Sequence, residues 1–139
     1  MGSIMDSKRI LVVEDDQNTR NLYQTILTNA GFKVEVAIDG AEGLIKCREG
    51  GYDLVLLDVM LPKMDGIALL GELKKTPPKV PNKNIFLLTN LSHDPILKEG
   101  VELGAADVIL KTDVNPDELV KKVKEILANP TDNSPLHEV

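Results

Sequence analysis

Leu54-Val55-Leu56-Leu57-Asp58 opens the stretch that decides the fold, and Val59-Met60-Leu61-Pro62-Lys63-Met64-Asp65-Gly66 completes it. The unbroken aliphatic run Leu54 to Leu57 predicts a strand buried on both faces, the kind found in parallel sheets covered by helices. The run ends on the carboxylate of Asp58, and Pro62 with Asp65-Gly66 then turns the chain within a few residues. An acid at the carboxyl end of a central parallel strand stands where open α/β sheets carry their chemistry. Taken alone, Asp58 reads equally well as a solvated loop acid, so its meaning rests on what else converges on it.

Upstream, Arg9 to Val13 is a β-branched apolar strand followed by the acids Glu14-Asp15-Asp16. Asp16 is placed to cap a helix in which Leu22, Tyr23, Ile26, Leu27 and Ala30 recur at helical spacing before Gly31 ends it. Phe32 to Ile38 alternates as a second strand. Asp39-Gly40 predicts a turn, and Ala41, Leu44 and Ile45 the inner face of a second helix that Gly50-Gly51 terminates. Downstream, Ile67, Leu70 and Leu73 mark a third helix, stopped by Pro77-Pro78. Pro77 to Asn82 reads as a connecting loop rather than a proline-rich ligand, because it is short and lies between regular elements.

Ile85 to Leu88 is another short buried strand, ending in Thr89. Asp94-Pro95 starts a fourth helix with a thin inner face, and Ala106 to Leu110 makes a fifth strand ending in Lys111. Asn115-Pro116-Asp117-Glu118 is a capping-box start for a last helix with Leu119, Val120, Val123, Ile126 and Leu127 along its buried stripe. Strands and helices thus alternate throughout, which predicts an α/β fold: a doubly wound, five-stranded parallel sheet with five helices and right-handed crossovers. No internal repeat and no low-complexity tract competes with that reading.

The 139 residues suffice for one domain with a sizeable core. A net charge of −6 supplies no basic field for phosphate backbones, so direct nucleic-acid binding is disfavoured. Cys47 is the single cysteine, which excludes an internal disulfide and a thiolate metal cluster, suits a reducing cytoplasm, and reads as a packing or surface thiol. No apolar stretch approaches the ~20 residues of a membrane helix, and no signal-peptide core is visible. We expect residues 1–7 to be a disordered leader or cloning remnant, with Met5 a candidate start, 8–128 to form the domain, and 129–139 to be a tail or linker. The isolated His93 and His137 offer neither a ligand set nor a base.

In a doubly wound sheet the strand ends share one edge, and here they carry Glu14 and Asp15, Asp58, Thr89 and Lys111. Carboxylates gathered together repel, and hard oxygen ligands with open positions suit Mg²⁺, or Mn²⁺ in its place. An aspartate can also attack a phosphoryl group, provided that nearby cations neutralise the phosphoryl oxygens. Lys111 is such a cation, and Thr89 can donate to a phosphoryl oxygen. Each residue alone has an ordinary structural reading as a cap, a strand end or a surface charge. It is the shared edge that gives them meaning together.

With these pieces in place, the chain resembles the receiver domain of two-component response regulators, of the chemotaxis-regulator type, over roughly Lys8 to Ala128. The resemblance is carried by Ile10-Leu11-Val12-Val13-Glu14-Asp15, Leu56-Leu57-Asp58-Val59-Met60-Leu61-Pro62, Met64-Asp65-Gly66, Thr89, Gly104-Ala105-Ala106-Asp107 and Lys111. It implies a flavodoxin-like strand order of 2-1-3-4-5 and a phosphoryl group accepted on Asp58 from a sensor histidine kinase or phosphotransfer protein. It further implies Mg²⁺ held by Asp15, Asp58 and the Met60 backbone carbonyl, with Glu14 acting mainly through metal-bound water. By the same resemblance, Thr89 is the switch hydroxyl and Lys111 pairs with the phosphate, while Pro62 and Gly66 shape the acceptor loop. Asp16 falls outside the family's acidic pair. The implied protein is a cytoplasmic signalling module, monomeric or weakly dimeric, not an enzyme beyond its own phosphorylation and dephosphorylation. It would address an unknown downstream protein through the fourth helix, fifth strand and fifth helix.

Several positions depart from the family pattern. Thr112 follows Lys111 where proline is usual, so we expect a trans link and a different path after the fifth strand. Val108 replaces the usual switch aromatic, and Asn90 stands where a small residue is common. Met60 and Leu91 are apolar and position no attacking water, which predicts a long-lived phosphoryl group. Two other functions compete. A haloacid-dehalogenase-type phosphotransferase also uses a strand-end aspartate, but needs a second aspartate where this chain has Met60. A receiver-like binding module without phosphorylation is compatible with Val108, Thr112 and Asn90.

Overall fold

The computed structural model describes residues 8–90 and 95–128, and the expected leader, the tail, Leu91, Asp94 and both histidines lie outside them. Parallel hydrogen bonding joins β1 (Arg9–Val13), β2 (Lys33–Ala37), β3 (Leu54–Asp58), β4 (Ile85–Thr89) and β5 (Asp107–Leu110). The strand order is β2-β1-β3-β4-β5, as the resemblance implied. Parallel neighbours need crossovers, and these are α1 (Gln17–Asn29), α2 (Gly40–Glu49), α3 (Gly66–Lys75) and α4 (Pro95–Glu102), with α5 (Pro116–Ala128) closing the chain.

Side-chain alternation along the strands divides the interior into two layers. Leu11, Val13, Val55, Leu57 and Leu87 face α2 and α3, where Leu44, Cys47, Leu69, Leu70 and Leu73 complete one core. Ile10, Val12, Leu54, Leu56, Phe86, Leu88 and Ile109 face the other way, onto Tyr23 and Leu27 of α1 and Leu119, Val123 and Leu127 of α5. All five residues of β3 are buried, which is why its sequence shows no alternation.

Helix ends form where the local chemistry predicts them. The Asp16 carboxylate accepts from the Thr19 amide at 2.9 Å and caps α1. Asn115 and Glu118 cap α5 reciprocally, each side chain accepting the other's amide proton. Asp39, expected to sit in a turn, instead caps α2 by accepting from the Glu42 amide, with Gly40 as the first helical residue.

Leu22 on α1 and Ile45 on α2, both expected on buried faces, are 42% and 62% exposed. Each has an adjacent apolar neighbour, and packing buries Tyr23 and Leu44 instead. The thin face of α4 also has a structural reason. Gly100 is its one buried residue among those described, and a Cβ there would stand 2.5 Å from Leu87 Cδ1. This helix therefore meets β4 through backbone proximity rather than through a row of large side chains. No helix among the described residues is long and apolar enough to cross a membrane.

Candidate functional site

Strand register builds the site. Val13 pairs with Leu57, so the residues that follow, Glu14 and Asp58, emerge side by side at the carboxyl edge. Asp58 pairs with Leu88 and Thr89 with Leu110, which sets Thr89 one residue beyond the aspartate and Lys111 one beyond Leu110. Glu14, Asp58 and Thr89 are all buried, at 1%, 5% and 1% exposure, whereas Asp15 faces solvent.

Lys111 joins the two buried carboxylates. Its ammonium donates to Glu14 Oε1 at 2.6 Å and to Asp58 Oδ2 at 2.9 Å. The second oxygen of each acid is also engaged: Glu14 Oε2 accepts from the Asp16 amide at 3.1 Å, and Asp58 Oδ1 from the Met60 amide at 3.0 Å. Burial pushes the Glu14 carboxyl above the usual range; the Lys111 hydrogen bond opposes this and the Asp58 charge adds to it. Burial also works against the Lys111 ammonium, but its hydrogen bonds to Glu14 and Asp58 outweigh it, and the lysine is held above its ordinary value. The lysine is therefore firmly cationic.

Glu14, Asp15 and Asp58 each present an oxygen within 4.8 Å of the others. Opposite ligands around an octahedral Mg²⁺ are about 4.2 Å apart, so the three oxygens are gathered to within a few tenths of an ångström of that span, and hard carboxylate donors suit such an ion. Three carboxylates facing one ammonium formally leave the charge that a divalent cation would balance.

The acceptor loop is tied down on both sides. The Gly66 amide donates to Val59 O at 2.9 Å, and a Cβ on Gly66 would meet Asp58 O at 2.5 Å, so the loop closes tightly over the end of β3. Pro62 O accepts from the Gly40 amide at 3.3 Å, and Lys63, whose φ is 68°, reaches Asp39 Oδ2 at 3.4 Å. These links bind the loop to the start of α2, a contact that no local pattern in the sequence announces.

The expected modulating positions spread around this edge. Met60 is 66% exposed, Asn90 is exposed, and Val108 is half-buried against the α2–α3 core. Lys111 begins a 3-10 turn over Lys111–Asp113, and no cis peptide occurs among the described residues, in keeping with the trans link expected before Thr112. One participant went unread in the sequence. Arg20, in the second turn of α1, donates from one guanidinium nitrogen to the carbonyls of Glu14 and Asp15 at 3.0 and 3.1 Å. Its place one helical turn after the capping Asp16 is the signal that was available.

The profile of the response regulator receiver domain matches residues 10–124. The chain belongs to that family. This receiver domain is 41% identical over 128 residues to the transcriptional regulatory protein CpxR homolog of Haemophilus influenzae, covering 90% of this chain and 54% of the relative. It is 37% identical to the uncharacterized transcriptional regulatory protein YkoG of Bacillus subtilis, covering 88% and 52%. The receiver thus spans about half the length of the curated relatives it matches. Among solved structures it is similar to a CheY-like receiver domain protein of Methanospirillum hungatei, with a TM-score of 0.75, 34% identity, and coverage of 87% and 94%. The BeF3-activated N-terminal receiver domain of Klebsiella pneumoniae RstA matches with a TM-score of 0.73, 33% identity, and coverage of 86% and 98%. Family membership removes the dehalogenase reading. The relatives are named for transcriptional regulation, and net charge reports only on the stretch that carries it, so the expectation of no direct nucleic-acid binding extends no further than these 139 residues.

Proposed function

We propose that Asp58 accepts a phosphoryl group from the phosphohistidine of a sensor histidine kinase or phosphotransfer protein, and that the aspartyl phosphate alters the contacts the domain makes. The observation that carries this reading is the Lys111 ammonium shared between buried Asp58 and Glu14, beside buried Thr89. In the transfer, an Asp58 oxygen forms a bond to phosphorus while the phosphorus–nitrogen bond to the donor imidazole breaks, its electron pair returning to the ring. Lys111 exchanges its Asp58 contact for a phosphoryl oxygen, and the Thr89 hydroxyl donates to another. The Met60 amide holds the carboxylate in place.

Glu14, Asp15, Asp58 and the Met60 carbonyl would hold Mg²⁺ or Mn²⁺, Glu14 mainly through bound water. When bound, the ion supplies neutralisation of phosphoryl charge. Met60, exposed beside the acceptor, is apolar and positions no attacking water, which supports a long-lived phosphoryl group. The protein is a cytoplasmic signalling component, monomeric or weakly dimeric, with residues 8–128 as the receiver. Its readout uses the α4–β5–α5 face, and the relatives' names support DNA contact through a separate domain rather than through this acidic one. Intact mass after incubation with acetyl phosphate and MgCl₂ tests the proposal. We expect one phosphoryl group on the wild type and none on Asp58→Asn. An unmodified wild type would leave the non-phosphorylated binding module as the reading, and equal labelling of the variant would remove Asp58 as acceptor.

A further inference from the structure

We infer that Arg20 is a positioning residue for the divalent-cation site, acting on the backbone of Glu14 and Asp15 and not on the ion. The inference rests on the proposed cation role of the acidic cluster. Glu14 is held at every polar group: its amide donates to Ala37 O at 3.1 Å, its two carboxylate oxygens accept from Lys111 and the Asp16 amide, and its carbonyl accepts from Arg20. Asp15 is different. It is exposed, and the peptide plane that follows it is held from both ends, its carbonyl accepting from Arg20 and the Asp16 amide donating to Glu14 Oε2. Because one nitrogen of Arg20 takes both consecutive carbonyls, it sets the two peptide planes together and thereby the direction in which the Asp15 side chain leaves the loop. The arginine itself is anchored, since its amide makes the first hydrogen bond of α1, to Asp16 O at 2.8 Å. Without the guanidinium, Asp15 samples orientations that do not present its oxygen beside those of Glu14 and Asp58. Cation affinity then falls by the fraction of time the competent arrangement is lost.

The sign of the effect separates positioning from simple electrostatics. A guanidinium near the acidic cluster repels a divalent cation, so removing its charge tightens binding if charge is all that matters. Positioning requires the reverse. Calorimetric titration of the full chain with MgCl₂ alone, without phosphoryl donor, should give about tenfold weaker binding for Arg20→Met than for wild type. Arg20→Lys, which keeps a donor within reach of the carbonyls, should recover part of the loss. Amide NMR shifts in the absence of metal should move at Glu14 to Asp16 and stay unchanged at Leu70 and Leu73, in the distant core. Equal or tighter Mg²⁺ binding by Arg20→Met would overturn the inference while leaving the cation site standing. No Mg²⁺ binding by wild type would overturn the cation reading and the inference with it. Should Arg20→Met lower the thermal midpoint, Arg20→Gln is measured at a temperature where it is fully folded, and the same two outcomes apply.

Discussion

Lys111→Met removes the cation that two buried carboxylates share, and its consequence can be worked from the geometry. The side chains of Glu14 and Asp58 are 2% and 7% exposed, so losing their partner leaves charges that water reaches poorly. Breaking a buried pair in this way costs about 3–5 kcal/mol. Two features reduce that figure here. The Lys111 side chain is itself 17% exposed, so water can enter its place. Burial already holds the Glu14 carboxyl above its usual range, so a proton can replace the missing ammonium at modest cost. A loss of about 2–3 kcal/mol at neutral pH in EDTA follows. With a urea m-value of about 1.5 kcal/mol/M, the midpoint falls by roughly 1.3–2 M. The assay is urea unfolding followed by circular dichroism, in EDTA and again with MgCl₂. Because the variant's acidic cluster lacks its internal counter-charge, Mg²⁺ should stabilise it more than it stabilises wild type. A variant within about 0.5 kcal/mol of wild type in EDTA would refute the view that Lys111 compensates buried charge. An equal Mg²⁺ increment in both proteins would refute Lys111 as the counter-charge of the cation site, and no increment in either would refute the assignment of these acids to such a site.

Three other outcomes test separate parts of the structure. Gly66→Ala sets a Cβ 2.5 Å from Asp58 O and 3.1 Å from Val59 Cα, both backbone atoms that cannot rotate away, so it should cost about 1–3 kcal/mol in urea unfolding and slow phosphoryl uptake. Cys47 is fully buried, and burial pushes its thiol up to about 12, so a thiol reagent at pH 8 should label it only at the rate of unfolding. The Glu35 carboxyl is held below the usual range, first by the Arg9 hydrogen bond and then by that of Tyr52. A depressed acid contributes stability above its unfolded pKa of about 4.3 and loses it as pH falls through the folded value. Glu35→Gln should therefore cost well under 1 kcal/mol at neutral pH, its side chain being 41% exposed, and the difference should vanish in strong acid.

Strand and helix alternation, the caps at Asp16 and Asn115, and the set of residues at the strand ends were all legible in the chain itself. These features are local: period 2 or 3.6, a turn residue, or a side-chain oxygen three positions from an amide. The strand-end residues became a site through the expectation that parallel strands deliver their ends to one edge. Contacts were another matter. Lys111 reaches Glu14 across 97 positions and Asp58 across 53, and only hydrogen-bond register brings them together. The choice of Tyr23 over Leu22 and of Leu44 over Ile45 also lay with packing, because adjacent apolar residues leave the rotation of an amphipathic helix undetermined by tens of degrees. Gly100 shows the same limit, since a missing side chain carries no hydrophobic signal yet sets how closely α4 approaches β4. The sequence alone determined which groups stand at the ends of the strands. Tertiary structure decided which of them touch, because periodicity specifies a face within one element while register and helix rotation belong to pairs of elements.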